Sequence, residues 1–268
     1  MSNIDSQTHK LVITYQNQAL YEQAKTLGQQ LDCPVMENAP EDCLLALVLE
    51  EDGLSLTRPN EKKLGALKVD FADGALTWRR NHGGGTGQAV AKAIGLKNKK
   101  RLNVLDATAG TGTDAFVLAA LGCNVQLIER HPIVAALLAD ALHRASLEED
   151  VHDITANMKL HHGSSIDYMH QQTENCFDVV YLDPMFPKSE KSGKNAQVKK
   201  SMQYFRDMVG KDEDADDLLA PALKLAKYRV VVKRPRKSPF LNDQKPTLSQ
   251  EGKANRFDIY VNQGMRDS

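Results

Sequence analysis

From residue 100 onward, short apolar segments alternate with longer segments that have helical periodicity. The apolar segments are NVLDA, VQLIE, KLHHG, DVVYLD, RVVVKRP and RFDIYV, and helices are predicted at residues 114–121, 132–144 and 214–227. Within two of these segments, the runs VVYL and VVV are apolar at every position, which is typical of strands in a parallel sheet covered on both faces. This alternation predicts an α/β fold with a doubly wound, mostly parallel sheet, whose ligands bind at the carboxyl ends of the strands.

Residues 1–82 have a different pattern: a strand segment LVITY, one helix at residues 18–30, and two longer apolar segments, each interrupted by a turn. Asp52-Gly53 and Asp73-Gly74 stand at these turns, and each predicts a β-hairpin. The pattern therefore predicts a small N-terminal α+β domain at residues 1–82, followed by the α/β domain at residues 83–268. The smaller domain carries no catalytic constellation, and we interpret it as a substrate-positioning or lid-like module.

The segment NVLDATAGTGTDAF, residues 103–116, predicts a strand, a tight loop and the start of a helix. Gly110 and Gly112 allow the loop to turn sharply and a ligand to approach the backbone N–H groups. The segment is not a P-loop, because no lysine follows Gly112, and Ala115 replaces the third glycine of the dinucleotide fingerprint. The spacing D-x-x-x-G-x-G from Asp106, with an acid, Glu129, at the end of the next strand, resembles the first motif of class I S-adenosylmethionine-dependent methyltransferases.

A carboxylate at the position of Glu129 can accept hydrogen bonds from both hydroxyl groups of a ribose. The alternative interpretation is that Glu129 is an exposed acid at a strand end and that Asp106 caps the loop. A second glycine-rich loop, Gly83–Gly87, precedes a predicted helix at residues 88–94. It is either a hinge between domains or a phosphate or cofactor contact, and glycines alone do not separate these two roles.

Composition narrows the class of protein. The chain has 268 residues, 41% of them hydrophobic, and a formal net charge of −1, so any affinity for nucleic acid must come from a local basic patch. No apolar run approaches the roughly 18 residues of a membrane helix, and the polar start MSNIDSQTHK is not a signal peptide, so we expect a cytoplasmic protein. The four cysteines form no C-x-x-C pair, and we expect neither a metal site nor a disulfide framework.

The sequence DVVYLDPMFP, residues 178–187, resembles the (D/N)-P-P-(Y/F) motif of methyltransferases that act on exocyclic amines of nucleobases, with Met185 where the motif has proline. Such an amine is a weak nucleophile, because its lone pair is delocalised into the ring. The Asp183 carboxylate and the Pro184 carbonyl can accept from its N–H groups and stabilise the positive charge that grows on nitrogen. Phe186 can stack on the base. The alternative interpretation is a proline-rich strand exit with an acid at its tip.

Two basic runs follow predicted strand ends, after this motif and after the next strand. A charge run is usually a solvated loop, but both runs flank the predicted base pocket, so we expect them to contact RNA phosphates. The candidate RNA-binding residues are Lys188, Lys191, Lys194, Lys199, Lys200, Lys233, Arg234 and Arg236.

In combination, these motifs resemble the bacterial ribosomal RNA small subunit methyltransferase J family over residues 83–260. The resemblance implies a Rossmann-like methyltransferase sheet, S-adenosyl-L-methionine as cofactor, and transfer of a methyl group to the N2 amine of a guanine in 16S ribosomal RNA, either free or in the small ribosomal subunit. It also implies cofactor contacts at Thr113, Asp114, Glu129, Arg130, Ser164, Ser165 and Asp183. Asp106, Gly110 and Gly112 complete the predicted cofactor site.

Two other functions remain open from the residues alone. One is amine methylation of adenine or cytosine in another nucleic acid, which the acceptor motif supports equally well. The other is a non-catalytic RNA-binding factor for ribosome assembly. Every enzymatic interpretation requires the loop after Asp106 and the corner at Asp183 to face one common crevice.

Overall fold

The computed structural model describes residues 10–73, 85–96, 101–184, 204 and 214–265. The chain divides into two compact units, residues 1–70 and 71–268. The boundary predicted between residues 82 and 83 lies outside the described residues and stays a prediction. Phe71 already belongs to the larger unit, where its ring stacks on Phe116 with the two ring centroids 5.0 Å apart.

The smaller unit contains a four-stranded sheet in the order β2-β1-β3-β4 and one α-helix. The elements are β1 (Leu11–Tyr15), a 3-10 turn (Gln18–Leu20), α1 (Tyr21–Leu31), β2 (Val35–Met36), β3 (Leu45–Glu50), β4 (Gly53–Thr57) and a 3-10 turn (Lys62–Leu64). β1 is parallel to β2 and β3, while β3 and β4 form the hairpin predicted at Asp52-Gly53. The second predicted hairpin continues past Asp73, outside the described residues.

The larger unit contains a seven-stranded sheet in the order β10-β11-β9-β8-β5-β6-β7. Its strands are β5 (Asn103–Asp106), β6 (Asn124–Glu129), β7 (Met158–His162), β8 (Phe177–Leu182), β9 (Ala226–Pro235), β10 (Leu248–Glu251) and β11 (Asn255–Val261). Its described α-helices are α2 (Ala89–Ile94), α3 (Thr113–Ala120), α4 (Pro132–Ser146), α5 (His152–Thr155), α6 (Ser165–His170) and α7 (Leu219–Leu225). The 3-10 turns are Gly85–Gly87, Ala215–Leu218 and Leu241–Asp243.

The five strands β7, β6, β5, β8 and β9 are parallel, and β10 and β11 form an antiparallel hairpin against β9. The chain therefore has the doubly wound, mostly parallel Rossmann-like sheet that its sequence predicts. The strand order reverses between β5 and β8, because β6 and β7 follow on one side and β8 and β9 on the other. In sheets of this kind, the reversal opens a crevice at the carboxyl ends of the two strands.

Several details of the secondary structure differ from the prediction, which did not include the short elements β2, α5 and α6. The last predicted helix was expected to reach Lys227, but α7 ends at Leu225, because buried Ala226 begins β9 and pairs with Phe177 of β8. β10 was not predicted, because its sequence LSQE is mostly exposed and lacks the apolar character of a core strand.

The core of the larger unit lies on both sides of the central strands. Leu105, Val180 and Val232, from three adjacent strands, are fully buried and belong to one cluster that also includes residues of α6 and α7. This packing holds the ends of β5, β8 and β9 at constant relative positions. No helix in the described part of the chain is long and apolar enough to cross a membrane.

Candidate functional site

The predicted loop and corner lie side by side at the crevice between β5 and β8. The backbone N–H of Ala107 donates to the carbonyl of Tyr181 at 3.1 Å, which continues the pairing of β5 and β8. One step further, the backbone N–H of Asp183 donates to Thr108 Oγ1 at 2.6 Å. The arrangement required by the enzymatic hypotheses is therefore present.

The two glycines of the loop have different structural roles. Gly110 and Gly112 both have positive φ, +54° and +71°, a conformation that L residues with a side chain rarely adopt. A Cβ atom on Gly112 would lie 2.9 Å from Leu138 Cδ1 and 3.2 Å from Phe71 Cζ, so packing also requires glycine here. Among the residues that the structure describes, a Cβ atom on Gly110 would meet nothing within 4 Å. The loop therefore borders open space at Gly110, where a ligand can approach its backbone.

Glu129 joins the loops that follow β5 and β6. Its Oε2 accepts from the backbone N–H of Gly110 at 2.9 Å, and its Oε1 accepts from the backbone N–H of His131 at 2.7 Å. The residue is 8% exposed, so it is not the exposed strand-end acid of the alternative interpretation. These two backbone bonds orient the carboxylate beside the glycine loop.

Four side chains form a polar cluster next to Asp183, which we call the Asp183 cluster: Asp114, Tyr181, Asp183 and Lys233. Asp114 Oδ2 accepts from the Tyr181 hydroxyl at 2.7 Å and from Lys233 Nζ at 2.6 Å. Lys233 Nζ also donates to Asp183 Oδ2 at 2.8 Å. One ammonium group therefore joins the first turn of α3 to the acceptor corner after β8.

Burial and neighbouring charges set the protonation states around this cluster. Burial raises the pKa of Asp106 to about 8, and Asp114 and Asp183 add to the effect, while the Thr108 N–H and Lys233 oppose it. Burial and the same two carboxylates raise the pKa of Tyr181 well above its ordinary value. Burial alone would lower the pKa of Lys233, but Asp183 and Asp114 outweigh it and raise that pKa. At neutral pH, Asp106 is mostly protonated, Tyr181 is a neutral donor and Lys233 is a cation.

The other predicted cofactor residues lie around the same edge of the sheet. Ser165 donates to the Ala107 carbonyl and so ties α6 to the loop after β5, whereas Ser164 caps α6 by accepting from the Asp167 N–H at 3.2 Å. Thr113 Oγ1 is hydrogen-bonded to Thr111 Oγ1 at 2.9 Å. Arg130 pairs with Asp214, 2.8 Å from its Oδ2. Cofactor contacts at these residues stay predictions.

Two of the predicted phosphate contacts do not fit the structure. Arg234 is 2% exposed and donates to the Pro239 carbonyl, so its guanidinium is not on the surface. Lys233 is held by two carboxylates inside the site. From the sequence, both residues were expected in a basic run after a strand. In the structure β9 continues through them to Pro235, and strand pairing holds both side chains close to other parts of the fold.

Arg236 is exposed and pairs with Glu251, 2.9 Å from its Oε2. Pro184 is buried at the end of the described segment. The remaining candidates lie outside the described residues: Phe186, Lys188, Lys191, Lys194, Lys199 and Lys200. Of the Gly83–Gly87 loop, only Gly85–Gly87 is described, as a 3-10 turn before α2, and its role stays open.

Sequence reasoning missed the part that Thr108, Tyr181 and Lys233 play in the site. A sequence signal was present for one of them. Tyr181 precedes Asp183 by two residues and therefore points to the same face of the chain. The place of Lys233 depends on the strand register, in which Val232 pairs with Leu182 and Lys233 lies beside Asp183. Among the residues that the structure describes, no group of three or more His, Cys, Asp or Glu side chains is arranged to hold a metal ion.

Comparison with known proteins relates the chain to methyltransferases. A family model for SAM-dependent methyltransferases matches residues 30–262. The ribosomal RNA small subunit methyltransferase J of Colwellia psychrerythraea is 56% identical over 219 residues, which cover 82% of this chain and 79% of that protein. The protein of the same name from Pseudomonas syringae pv. tomato is 49% identical over 245 residues, 91% of this chain and 89% of that protein.

A solved structure extends the similarity to nearly the whole chain. The crystal structure of a SAM-dependent methyltransferase from Neisseria gonorrhoeae superposes with a TM-score of 0.71 and is 36% identical. The match covers 95% of this chain and 97% of that one. The similarity therefore includes the smaller unit as well as the sheet that carries the candidate site.

Proposed function

The chain belongs to the ribosomal RNA small subunit methyltransferase J family, and from this premise we propose that it methylates the exocyclic N2 amine of a guanine in 16S ribosomal RNA, with S-adenosyl-L-methionine as methyl donor. Dependence on this cofactor follows from the family itself. The observation that carries the proposal for an amine acceptor is the position of Asp183. Its backbone N–H donates to Thr108 of the glycine loop, and its carboxylate lies 2.8 Å from the ammonium group of Lys233.

The residues around the glycine loop fit this cofactor. Gly110 borders open space, and the Glu129 carboxylate is held next to it by two backbone N–H groups. We propose that Glu129 binds the ribose hydroxyls and that the backbone at Gly110 and Gly112 lies against the cofactor. When bound, the cofactor supplies an electrophilic methyl group on a sulfonium centre. The further contacts that we propose are Asp106, Thr113, Asp114, Arg130, Ser164, Ser165 and Asp183.

The acceptor corner can activate an amine without a strong base. The Asp183 side chain is 40% exposed, so an incoming base can reach it, while its backbone N–H is tied to Thr108. The Asp183 carboxylate and the Pro184 carbonyl would accept the two N–H groups and orient the nitrogen lone pair towards the methyl group. The proton that nitrogen loses after transfer is then within reach of the Asp183 carboxylate. Phe186 would stack on the base.

The RNA substrate is proposed from the family and from the basic run after the acceptor corner. The relatives are named for an action on small subunit ribosomal RNA. Lys188, Lys191, Lys194, Lys199 and Lys200 follow Asp183 closely in the sequence and would contact phosphates near the target base, together with Arg236. We propose that this reaction takes place in the cytoplasm, as part of ribosome biogenesis.

Product analysis tests the proposal. The protein is incubated with methyl-labelled S-adenosylmethionine and either small ribosomal subunits or naked 16S RNA from cells that lack the enzyme, and the RNA is digested to nucleosides. We expect label in N2-methylguanosine. Label in adenosine or cytidine would reject the guanine assignment, and no label would favour a non-catalytic assembly factor.

The same assay with the variant Asp183→Ala tests the role of Asp183. We expect the variant to bind the RNA and to lose about 100-fold or more in transfer rate, because the acceptor of the N–H groups is removed. Circular dichroism establishes that the variant is folded. A folded Asp183→Ala protein with full activity would remove Asp183 from the mechanism.

A further inference from the structure

We infer that Lys233 is a positioning residue for methyl transfer: its ammonium group holds the Asp183 carboxylate in place by bridging it to Asp114. This inference rests on the proposed function, in which Asp183 accepts the N–H groups of the target amine. It also replaces the phosphate contact that the sequence predicts for Lys233. The two roles lead to different measurable behaviour.

The geometry of the bridge comes from the pairing of β8 with β9. Leu182 and Val232 are register partners, and Asp183 and Lys233 directly follow them. Lys233 Nζ lies 2.8 Å from Asp183 Oδ2 and 2.6 Å from Asp114 Oδ2. The side chain of Lys233 is only 22% exposed. Its charge is therefore directed to two carboxylates at the site, and an RNA phosphate would have to compete with both.

The other end of the bridge is anchored. Asp114 is the second residue of α3. Its Oδ2 accepts from the hydroxyl of buried Tyr181 as well as from Lys233. Because Tyr181 and Lys233 come from adjacent strands, two donors from the sheet fix one carboxylate of the helix. Lys233 therefore connects the Asp183 carboxylate to a carboxylate that is itself held in place. Asp183 needs this support, because its side chain is the most exposed of the three ion-pairing groups.

The charge of Lys233 also keeps the acceptor ionised. In the described part of the chain, the titratable groups that face it are Asp114 from α3, Asp183 after β8, and more distantly Asp106 from β5 and Tyr181 from β8. With Asp106 protonated and Tyr181 neutral, the charges that these described residues contribute are two carboxylates and one ammonium. Without the ammonium, the two carboxylate oxygens would face each other, separated by no more than the sum of their distances to Nζ. Two like charges this close raise the pKa of at least one of the two carboxyl groups, so removal of the ammonium favours its protonation.

Steady-state kinetics of Lys233→Met tests the inference. Methionine matches the unbranched apolar stem of lysine and lacks the ammonium group. We expect kcat to fall by about 100-fold, because the acceptor is no longer held in the productive geometry. We also expect the acidic limb of the kcat profile to move up by about 1–3 pH units.

The same variant separates positioning from a phosphate contact. A positioning role leaves KM for RNA, and the slope of binding affinity against salt, within error of wild type. A phosphate contact would lower that slope by about 1 and raise KM at unchanged kcat. The matched control is Lys227→Met, at the exposed amino-terminal end of the same strand, which makes an identical charge change. The control should behave as wild type in every measurement.

Lys233→Arg completes the test. Arginine restores the charge with a different shape, so the acidic limb should return to within about half a pH unit of wild type while kcat stays reduced. If Lys233→Met does not fold, Lys233→Gln replaces it in the same measurements. An unshifted acidic limb with wild-type kcat in a folded, uncharged variant overturns the inference. Failure of the proposed function is distinguishable, because it would appear as absent methyl transfer by the wild-type protein.

Discussion

At the scale of single residues, the site depends on burial, which gives two aspartates of the same chemistry different protonation states. Asp106 and Asp183 each end or follow a parallel strand, and only their surroundings differ. Asp106 is 2% exposed and is mostly protonated at neutral pH, whereas Asp183 is accessible and is paired with a lysine. The first therefore stabilises the loop, and the second is suited to accept an amine.

This difference predicts a dependence of folding stability on pH. The pKa of Asp106 is raised in the folded protein to about 8 from an ordinary value of 3.8, so the folded state retains a proton that the unfolded state loses. Stability should therefore fall as pH rises between these values, by about 1.4 kcal/mol per unit in the middle of the window. Above about pH 8, Asp106 is ionised in both states, and its ionisation lowers the free energy of unfolding no further.

The measurement is urea unfolding of wild type and Asp106→Asn at pH 6 and pH 8.5. Asparagine keeps an acceptor for the Thr108 N–H, which lies 3.1 Å from Asp106 Oδ1, and cannot ionise. Its free energy of unfolding should change less between the two pH values than that of wild type. Equal changes in the two proteins would mean that Asp106 does not titrate in this window.

At the scale of elements, the strand β5, its loop and the helix α3 form the unit on which the site is built. The strand provides Asp106, the loop provides Gly110 and Gly112, and the helix provides Asp114. Every one of these positions was predicted from the sequence, because a strand, a glycine turn and a helix start are local patterns. The different roles of the two glycines were not predicted, since they depend on what packs against the loop from β6 and α4.

Substitution by alanine is expected to have different consequences at the two glycines. Gly112→Ala should destabilise the fold by about 1–3 kcal/mol more than Gly110→Ala, because its Cβ would overlap Leu138 while both variants share the strain of positive φ. Urea unfolding measures this difference. Gly110→Ala should instead weaken cofactor binding in isothermal titration calorimetry, because its Cβ would enter the open space beside the loop. Equal stability losses, or unchanged binding by Gly110→Ala, would contradict these roles.

At the scale of the whole molecule, a net charge of −1 conceals an uneven distribution. Acidic residues outnumber basic ones in residues 1–70, so charge gives no support to RNA binding by the smaller unit. The basic runs lie in the larger unit, one after the acceptor corner that follows β8 and the other at the carboxyl end of β9. Of their members described by the structure, Arg236 is exposed, while Arg234 is buried and Lys233 is bound to carboxylates.

This distribution predicts that the lysine run after the acceptor corner provides much of the RNA affinity. Lys199→Ala combined with Lys200→Ala should weaken binding and reduce the slope of log affinity against log salt by about 1 to 2. Fluorescence anisotropy with labelled RNA at several salt concentrations measures this slope. The control pair Lys224→Ala and Lys227→Ala makes the same charge change at the amino-terminal edge of the sheet. If both pairs give the same slope, the run is only a solvated loop.

The sequence by itself determined the alternation of the main strands and helices, the glycine loop, and the acids at the ends of β5 and β6 and directly after β8. These features depend on side-chain periodicity and turn chemistry within a few residues, and the carboxyl ends of parallel strands necessarily meet at one edge. Only the tertiary structure decided where the basic run of β9 is used. Lys233 and Arg234 are adjacent in sequence, yet strand alternation directs one to Asp114 and Asp183 and the other to the carbonyl of Pro239. Such partners come from neighbouring strands and loops, so their identity depends on register and burial rather than on the local sequence.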